Sequence, residues 1–162
     1  MVIDKGIERE LIGIVKRLKR GEINFSVVGS VALYLQGMDV SPHDIDIITD
    51  KKNFDKIFKI YGAMIKGKVY SGEEELKDSI YFCHFFEFRI NSVKVEIMAD
   101  TYAKNKKTGR VHRSDLKLKK FVKHKGLNVP AMSVEEELKA KEVIAWKSKR
   151  INRIKKFLET KG

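Results

Sequence analysis

Two acids one position apart, Asp44 and Asp46, are the pair in this 162-residue chain whose spacing most directly implies chemistry. Alternate side chains of a strand share a face, so the two carboxylates point one way while Ile45 and Ile47 point into a core. Like charges that close call for a cation or a proton between them. A hard divalent ion such as Mg²⁺ takes oxygen ligands and keeps room for water and phosphates. Upstream, Gly29 lets the backbone come close to a ligand, and the amides of a helix beginning near Ser30 face any anion placed there. A phosphate cradle and an acid pair in one short stretch point to nucleoside triphosphate chemistry.

The surrounding pattern supplies the elements that position these residues. Phe25 to Val28 reads as a short apolar strand and Gly29-Ser30 as a turn. Val31 to Gln36 reads as a small-residue helix, and a polar loop then leads to a second strand carrying Asp44 and Asp46. Asp4 to Arg20 is an amphipathic helix with Ile7, Leu11, Ile14, Val15 and Leu18 at helical spacing, capped by Asp4 and stopped at Gly21. Lys51 to Tyr61 repeats that pattern. Ala63 to Asp78 carries no decisive pattern, and the GEEELKD run within it reads as a solvated acidic loop or a short helix. Ser79 to Ile90 is a strand, and Asn91-Ser92 makes a two-residue turn into Val93 to Met98. Counting back from that turn sets Ile90 opposite Val93, Phe88 opposite Val95 and Glu87 opposite Glu96. Phe86, Phe88, Ile90, Val93, Val95 and Ile97 form the apolar face, and Glu87, Arg89, Lys94 and Glu96 the polar one. Two facing glutamates need a positive partner, either Arg89 or Lys94 or a metal.

Gly29-Ser30, thirteen intervening residues, and Asp44-Ile45-Asp46 running into an apolar strand resemble the signature of the DNA polymerase beta-like nucleotidyltransferase superfamily, in its small stand-alone prokaryotic form. That resemblance implies an α+β fold with a mixed β-sheet flanked by helices and C-terminal helices beyond it. It also implies a third carboxylate on a later strand, a place that Glu96 fills where Asp is more usual, with Asp100 as the fallback. Relatives often carry a Lys-Asp pair in their last helices. KSKRINRIKKFL has no acid there, which puts in doubt any role given to that region.

A single domain spanning 1–162 is expected, since a chain of about 150 residues hides roughly 70% of its unfolded surface. The net charge of +12 is uneven: residues 1–100 hold 15 Lys and Arg against 16 Asp and Glu, and residues 101–162 hold 19 against 6. Such asymmetry fits a polyanionic partner, or a lysine-rich solvated surface of the kind seen in thermophile proteins. In the stretch from Thr101 to Lys125, one or two strands are expected, with Leu116, Leu118 and Phe121 inward and Lys117 and Lys119 outward. Ser133 and Glu136 read as a capping box opening a helix that runs through Ala145 and Trp146, and Ile151 to Leu158 gives a last apolar stripe. His43 reads as a solvent-exposed loop residue, His84 as packed in its strand and Cys83 as a small buried one. No apolar run approaches the ~18 residues that span a membrane, MVIDKGIERE lacks the apolar core of a signal peptide, and one cysteine forms no internal disulfide, so a cytoplasmic location is expected.

The resemblance implies an enzyme moving a nucleoside monophosphate from a triphosphate to a hydroxyl of RNA, protein or a small molecule. Asp44, Asp46 and Glu96 would hold two Mg²⁺ ions, and Gly29 and Ser30 the outer phosphates. A non-catalytic nucleotide- or nucleic-acid-binding module, within a toxin-antitoxin pair or outside one, is the alternative. Without a large C-terminal domain the cleft has one wall, so a homodimer or a bound partner is expected to complete the acceptor site.

Overall fold

Apolar residues recurring every three or four positions make helices of Lys5–Arg20 (α1), Lys51–Tyr61 (α3), Val134–Ile144 (α4) and Ser148–Lys161 (α5), with a short Gly29–Leu35 (α2) between two strands. The computed structural model describes residues 2–145 and 148–161. Its strands are Phe25–Val28 (β1), Ile45–Thr49 (β2), Val69–Glu75 (β3), Ser79–Ile90 (β4), Val93–Asn105 (β5), Val111–Arg113 (β6), Lys119–His124 (β7) and Leu127–Met132 (β8). They form one mixed eight-stranded sheet in the order β3-β4-β5-β2-β1-β8-β7, with β6 paired to the far end of β5. β2 runs parallel to β5 and β1 parallel to β8, whereas β1 with β2 and β4 with β5 are antiparallel.

One face of the sheet is apolar. Phe25, Val27, Ile45, Ile47, Phe86, Phe88, Val95 and Ile97 pack there against Leu11, Ile14, Val15 and Leu18 of α1 and Phe54, Ile57 and Tyr61 of α3. Burying each such side chain contributes about 1.5–3 kcal/mol. Asp4 caps α1, its Oδ1 accepting from the amides of Gly6 (2.8 Å) and Ile7 (3.1 Å). Leu33 of α2, Val134 of α4 and Ile154 of α5 make a second cluster with Met38 and Val40, which ties the C-terminal helices to α2. The β4-β5 hairpin keeps the counted register, Ile90 opposite Val93 and Glu87 opposite Glu96.

Four expectations are corrected. Val69–Glu75 is neither loop nor helix but the edge strand β3; its side chains are nearly all exposed, so no apolar alternation marks it. Second, β5 continues past Met98 to Asn105 because β6 pairs with its outer half. Third, a 3₁₀ turn at Leu116–Leu118 shifts the phase of β7. Val122 therefore packs on the core, Leu118 and Phe121 are exposed, and Lys119 is half-buried, donating to the Phe25 carbonyl at 3.4 Å. Fourth, α4 stops at Ile144, where Ala145 takes a left-handed φ of 57° that closes the helix. Trp146 lies outside the described residues.

Candidate active site

The acid pair is placed by the sheet. β2 lies between β1 and β5, and its register sets Asp46 beside Val28 on one side and beside Glu96 on the other. Asp44 stands just before β2, half-buried at its mouth. Glu96 is next to Glu87 across the hairpin, and Lys94 answers both: its Nζ lies 2.9 Å from Glu96 Oε1 and 3.6 Å from Glu87 Oε2. The positive partner that the facing glutamates required is therefore Lys94. Asp100 does not join. A bulge between the Phe82 and His84 pairings, with a φ of 52° at Asp100, turns it toward His84 Nε2 at 3.9 Å.

Asp46 is the electrostatic centre. Its Oδ1 is buried and has no hydrogen-bond partner among the described residues. Burial pushes its carboxyl well above the usual carboxylate range, and Glu96, Asp44 and Glu137 add to the rise. Gly29 abuts it: the turn from β1 into α2 needs a φ of 70° there, and a Cβ would stand 2.7 Å from Asp46 Oδ2. Ser30 follows, half-buried, at the start of α2. Among the described residues, no three His, Cys, Asp or Glu side chains are drawn together as a ready metal cluster. The donor set still fits a hard ion, because it offers carboxylate oxygens only and leaves one of them buried and unpartnered.

The gap in the sequence reading is α4. Glu137 is 4% exposed; its Oε1 accepts from the Gly29 amide at 2.8 Å and its Oε2 from Lys141 Nζ at 3.1 Å. In the sequence it belongs to Glu135-Glu136-Glu137, an acidic first turn that suits any helix start. The one available signal was the four-residue spacing to Lys141. Beneath α4 lies a cavity of about 280 Å³, lined by Gly29, Asp46, Glu96, Glu137 and Lys141 and walled by Ile48, Tyr81, Met98, Tyr102 and Ile144. His112 Nε2 is buried there, 3.5 Å from Glu136 Oε2. On the other side of Glu96 a more open groove of about 510 Å³ runs along β3 and β4, lined by Tyr70, Phe85, Glu73, Glu74, Glu87, Lys68 and Lys94. Glu96 thus stands between two spaces.

The remaining expected residues have bland surroundings. His43 is exposed, and Cys83 is buried with its thiol pushed upward by burial. No described helix is long and apolar enough to cross a membrane.

The Thermotoga maritima protein TM1012, classed as a nucleotidyltransferase, is 32% identical over 98% of this chain and 96% of its own, with a TM-score of 0.76. The lincosamide adenylyltransferase LnuA, solved with lincomycin, shares the fold at 16% identity and a TM-score of 0.59, over 91% of this chain and 96% of its own. ANT(2'')-Ia, solved with adenylyl-2''-tobramycin, does so at 15% and 0.58, over 95% of this chain and 90% of its own. Among proteins with curated descriptions, none matches. The profile of the aminoglycoside-2''-adenylyltransferase family matches residues 10–153, nearly the whole length of the chain, which therefore belongs to that family and is a nucleotidyltransferase.

Proposed function

We propose that the protein transfers a nucleoside monophosphate from a Mg²⁺-bound triphosphate to a hydroxyl of a small molecule. The observation that carries this reading is the in-register meeting of Asp46 and Glu96, with a buried unpartnered oxygen, beside the Gly29-Ser30 turn. Asp44, Asp46 and Glu96 are the residues that would hold two Mg²⁺ ions, whose chemistry is to neutralise phosphate charge and acidify the acceptor hydroxyl. Ser30 and the α2 amides after Gly29 would hold the outer phosphates, and Lys141 supplies positive charge inside the cavity. Lys94 holds Glu96 in place from the groove side. No His or Cys nucleophile is required, since the reaction is in-line attack with pyrophosphate leaving.

Apart from Glu96, the described residues of the groove are Glu73, Glu74 and Glu87 against Lys68 and Lys94, a balance that favours a cationic acceptor over a polyanion such as RNA. The ligands bound in LnuA and ANT(2'')-Ia, lincomycin and an adenylylated tobramycin, support a small hydroxylated acceptor. A homodimer also belongs to this proposal. α4 walls the cavity from within the chain, so a second copy is needed only along the open β3-β4 groove; sedimentation at assay concentration tests it.

The test is calorimetric titration of ATP, GTP, CTP and UTP with Mg²⁺ into wild type and the D44N/D46N double variant. Metal-dependent binding of one triphosphate, lost in the variant, is expected. No binding to either protein, or binding that survives in the variant, overturns the reading.

A further inference from the structure

We propose that Glu137 is a positioning residue for nucleotidyl transfer: from α4 it fixes the Gly29 peptide, and through it the Ser30 turn, against Asp46. The role rests on the phosphate function proposed above for that turn.

A helix begins with amides that have no partner inside it, and a side-chain acceptor at the residue before usually satisfies one of them. At α2 that residue is Val28, which has no side-chain acceptor. Glu137 answers instead from 108 residues away, its Oε1 accepting from the Gly29 amide at 2.8 Å. Its other oxygen is held by Lys141 at 3.1 Å, so the carboxylate is fixed at both ends. A buried carboxylate is costly unless its oxygens are satisfied. Satisfying this one takes the Gly29 amide, which makes the contact a constraint on the turn.

What is constrained matters because the fit is tight. Gly29 has a φ of 70°, and the space where its Cβ would be is filled by Asp46 Oδ2 at 2.7 Å. Rotation of the Gly29 peptide would therefore move the start of α2 relative to the acid pair. The Gly29 amide is also occupied, which leaves the amides after it and the Ser30 hydroxyl as the donors the turn has left to offer a phosphate. α4 roofs the cavity through Ala140, Lys141 and Ile144 as well, so one helix shapes the cavity and sets the turn at its mouth.

The experiment compares wild type with E137Q, E137D and E137A by hydrogen exchange of the Gly29 amide, by KM and kcat for the triphosphate, and by thermal melting. E137A is expected to lose protection at Gly29 and to raise the triphosphate KM at least tenfold, with kcat changed less than threefold. E137Q keeps an acceptor oxygen and is expected to recover most of both effects, whereas E137D, one methylene shorter, falls between. If E137A does not fold, E137D against E137Q carries the comparison. An unchanged KM in folded E137A or E137D overturns the role. So does a lowered KM, which would make Glu137 an occupant that phosphate displaces. A wild type that binds no triphosphate overturns the site reading and this role together. A wild type that binds normally beside a fully active E137A overturns this role alone.

Discussion

Asp46 is placed where an isolated carboxylate is least comfortable, and that discomfort is measurable. Its Oδ1 is buried without a partner, and Glu96, Asp44 and Glu137 crowd it. Because its pKa in the fold is raised above the ordinary 3.8, the fold prefers the protonated form. Below pH 3.8 the group is protonated in both folded and unfolded chains and costs nothing. As pH rises past 3.8 the unfolded chain ionises first, so stability is lost until the raised folded value is passed. Asp46→Asn removes this penalty. Metal-free D46N at pH 7 is expected to be more stable than wild type, because Asn keeps the oxygen but carries no charge to desolvate. At about 2–4 °C per kcal/mol the gain is visible in a melt, and it should vanish toward pH 3. Activity is expected to be lost at the same time. A D46N protein melting below wild type at pH 7 would show that Asp46 is stabilising and that the electrostatic reading is mistaken. Gly29→Ala argues from the other side of the same contact. The left-handed φ costs about 1–2 kcal/mol for any side chain, and the added methyl meets Asp46 Oδ2. Lower stability and loss of triphosphate binding are expected together, read by melting and calorimetry.

The elements were legible in the sequence where burial imposes a period. α1 and α3 show helical spacing of apolar residues, and the β4-β5 hairpin shows a turn that fixes its register, which is why Glu96 was found opposite Glu87. β3 was missed for the converse reason: an exposed edge strand has no buried face to write a pattern, and Glu73, Glu74 and Glu75 look like solvated surface. The phase of β7 was missed because a single 3₁₀ turn reverses which residues face inward. Glu137 was missed because the partner of its carboxylate is 108 residues away, and no local spacing encodes that. The α4 start was nevertheless readable at Ser133, whose Oγ accepts from the Glu136 amide at 3.2 Å. The reciprocal half of the expected box is not made, since Glu136 turns to His112 and Lys139. Ser133→Ala is therefore expected to cost ~1 kcal/mol, the value of one cap. Because α4 carries Glu137 and Lys141 to the site, the triphosphate KM should rise several-fold with it. Melting and initial-rate measurements on one preparation check both; an unchanged melt would deny the cap its role.

Charge over the whole molecule pulls in two directions, and the site decides between them. The chain carries a net charge of +12, and its last 62 residues hold 19 Lys and Arg against 6 acids, a balance that taken alone favours a nucleic-acid partner. Among the described residues, Lys141 is the one Lys or Arg of that stretch that lines either space beside Glu96. Among the described residues, Asp46, Glu96, Glu136 and Glu137 line the cavity against one lysine, Lys141, while Glu73, Glu74 and Glu87 line the groove with Lys68 and Lys94. Many of the C-terminal cations lie elsewhere: Lys120 and Lys123 on the outer strand β7, and Lys107 in the β5-β6 turn. A sequence sum cannot separate a cleft from an outer surface, so net charge points to a polyanion while the groove residues outside the proposed metal set, Glu73, Glu74 and Glu87, lean the other way. Within a Debye length of about 8 Å at physiological salt, the nearby carboxylates dominate what an acceptor meets. A cationic, hydroxylated small molecule is then expected to be labelled from α-³²P-nucleotide with Mg²⁺, and tobramycin and lincomycin are suitable first probes. Transfer RNA in the same reaction should stay unlabelled and should not compete at 150 mM salt. For a cationic acceptor the KM should rise several-fold between 50 and 300 mM salt, as screening removes the attraction. E73Q/E74Q should raise that acceptor KM at low salt while leaving triphosphate binding as in wild type. Labelled tRNA with an unlabelled small-molecule panel would reverse the conclusion and make the C-terminal cations the acceptor surface.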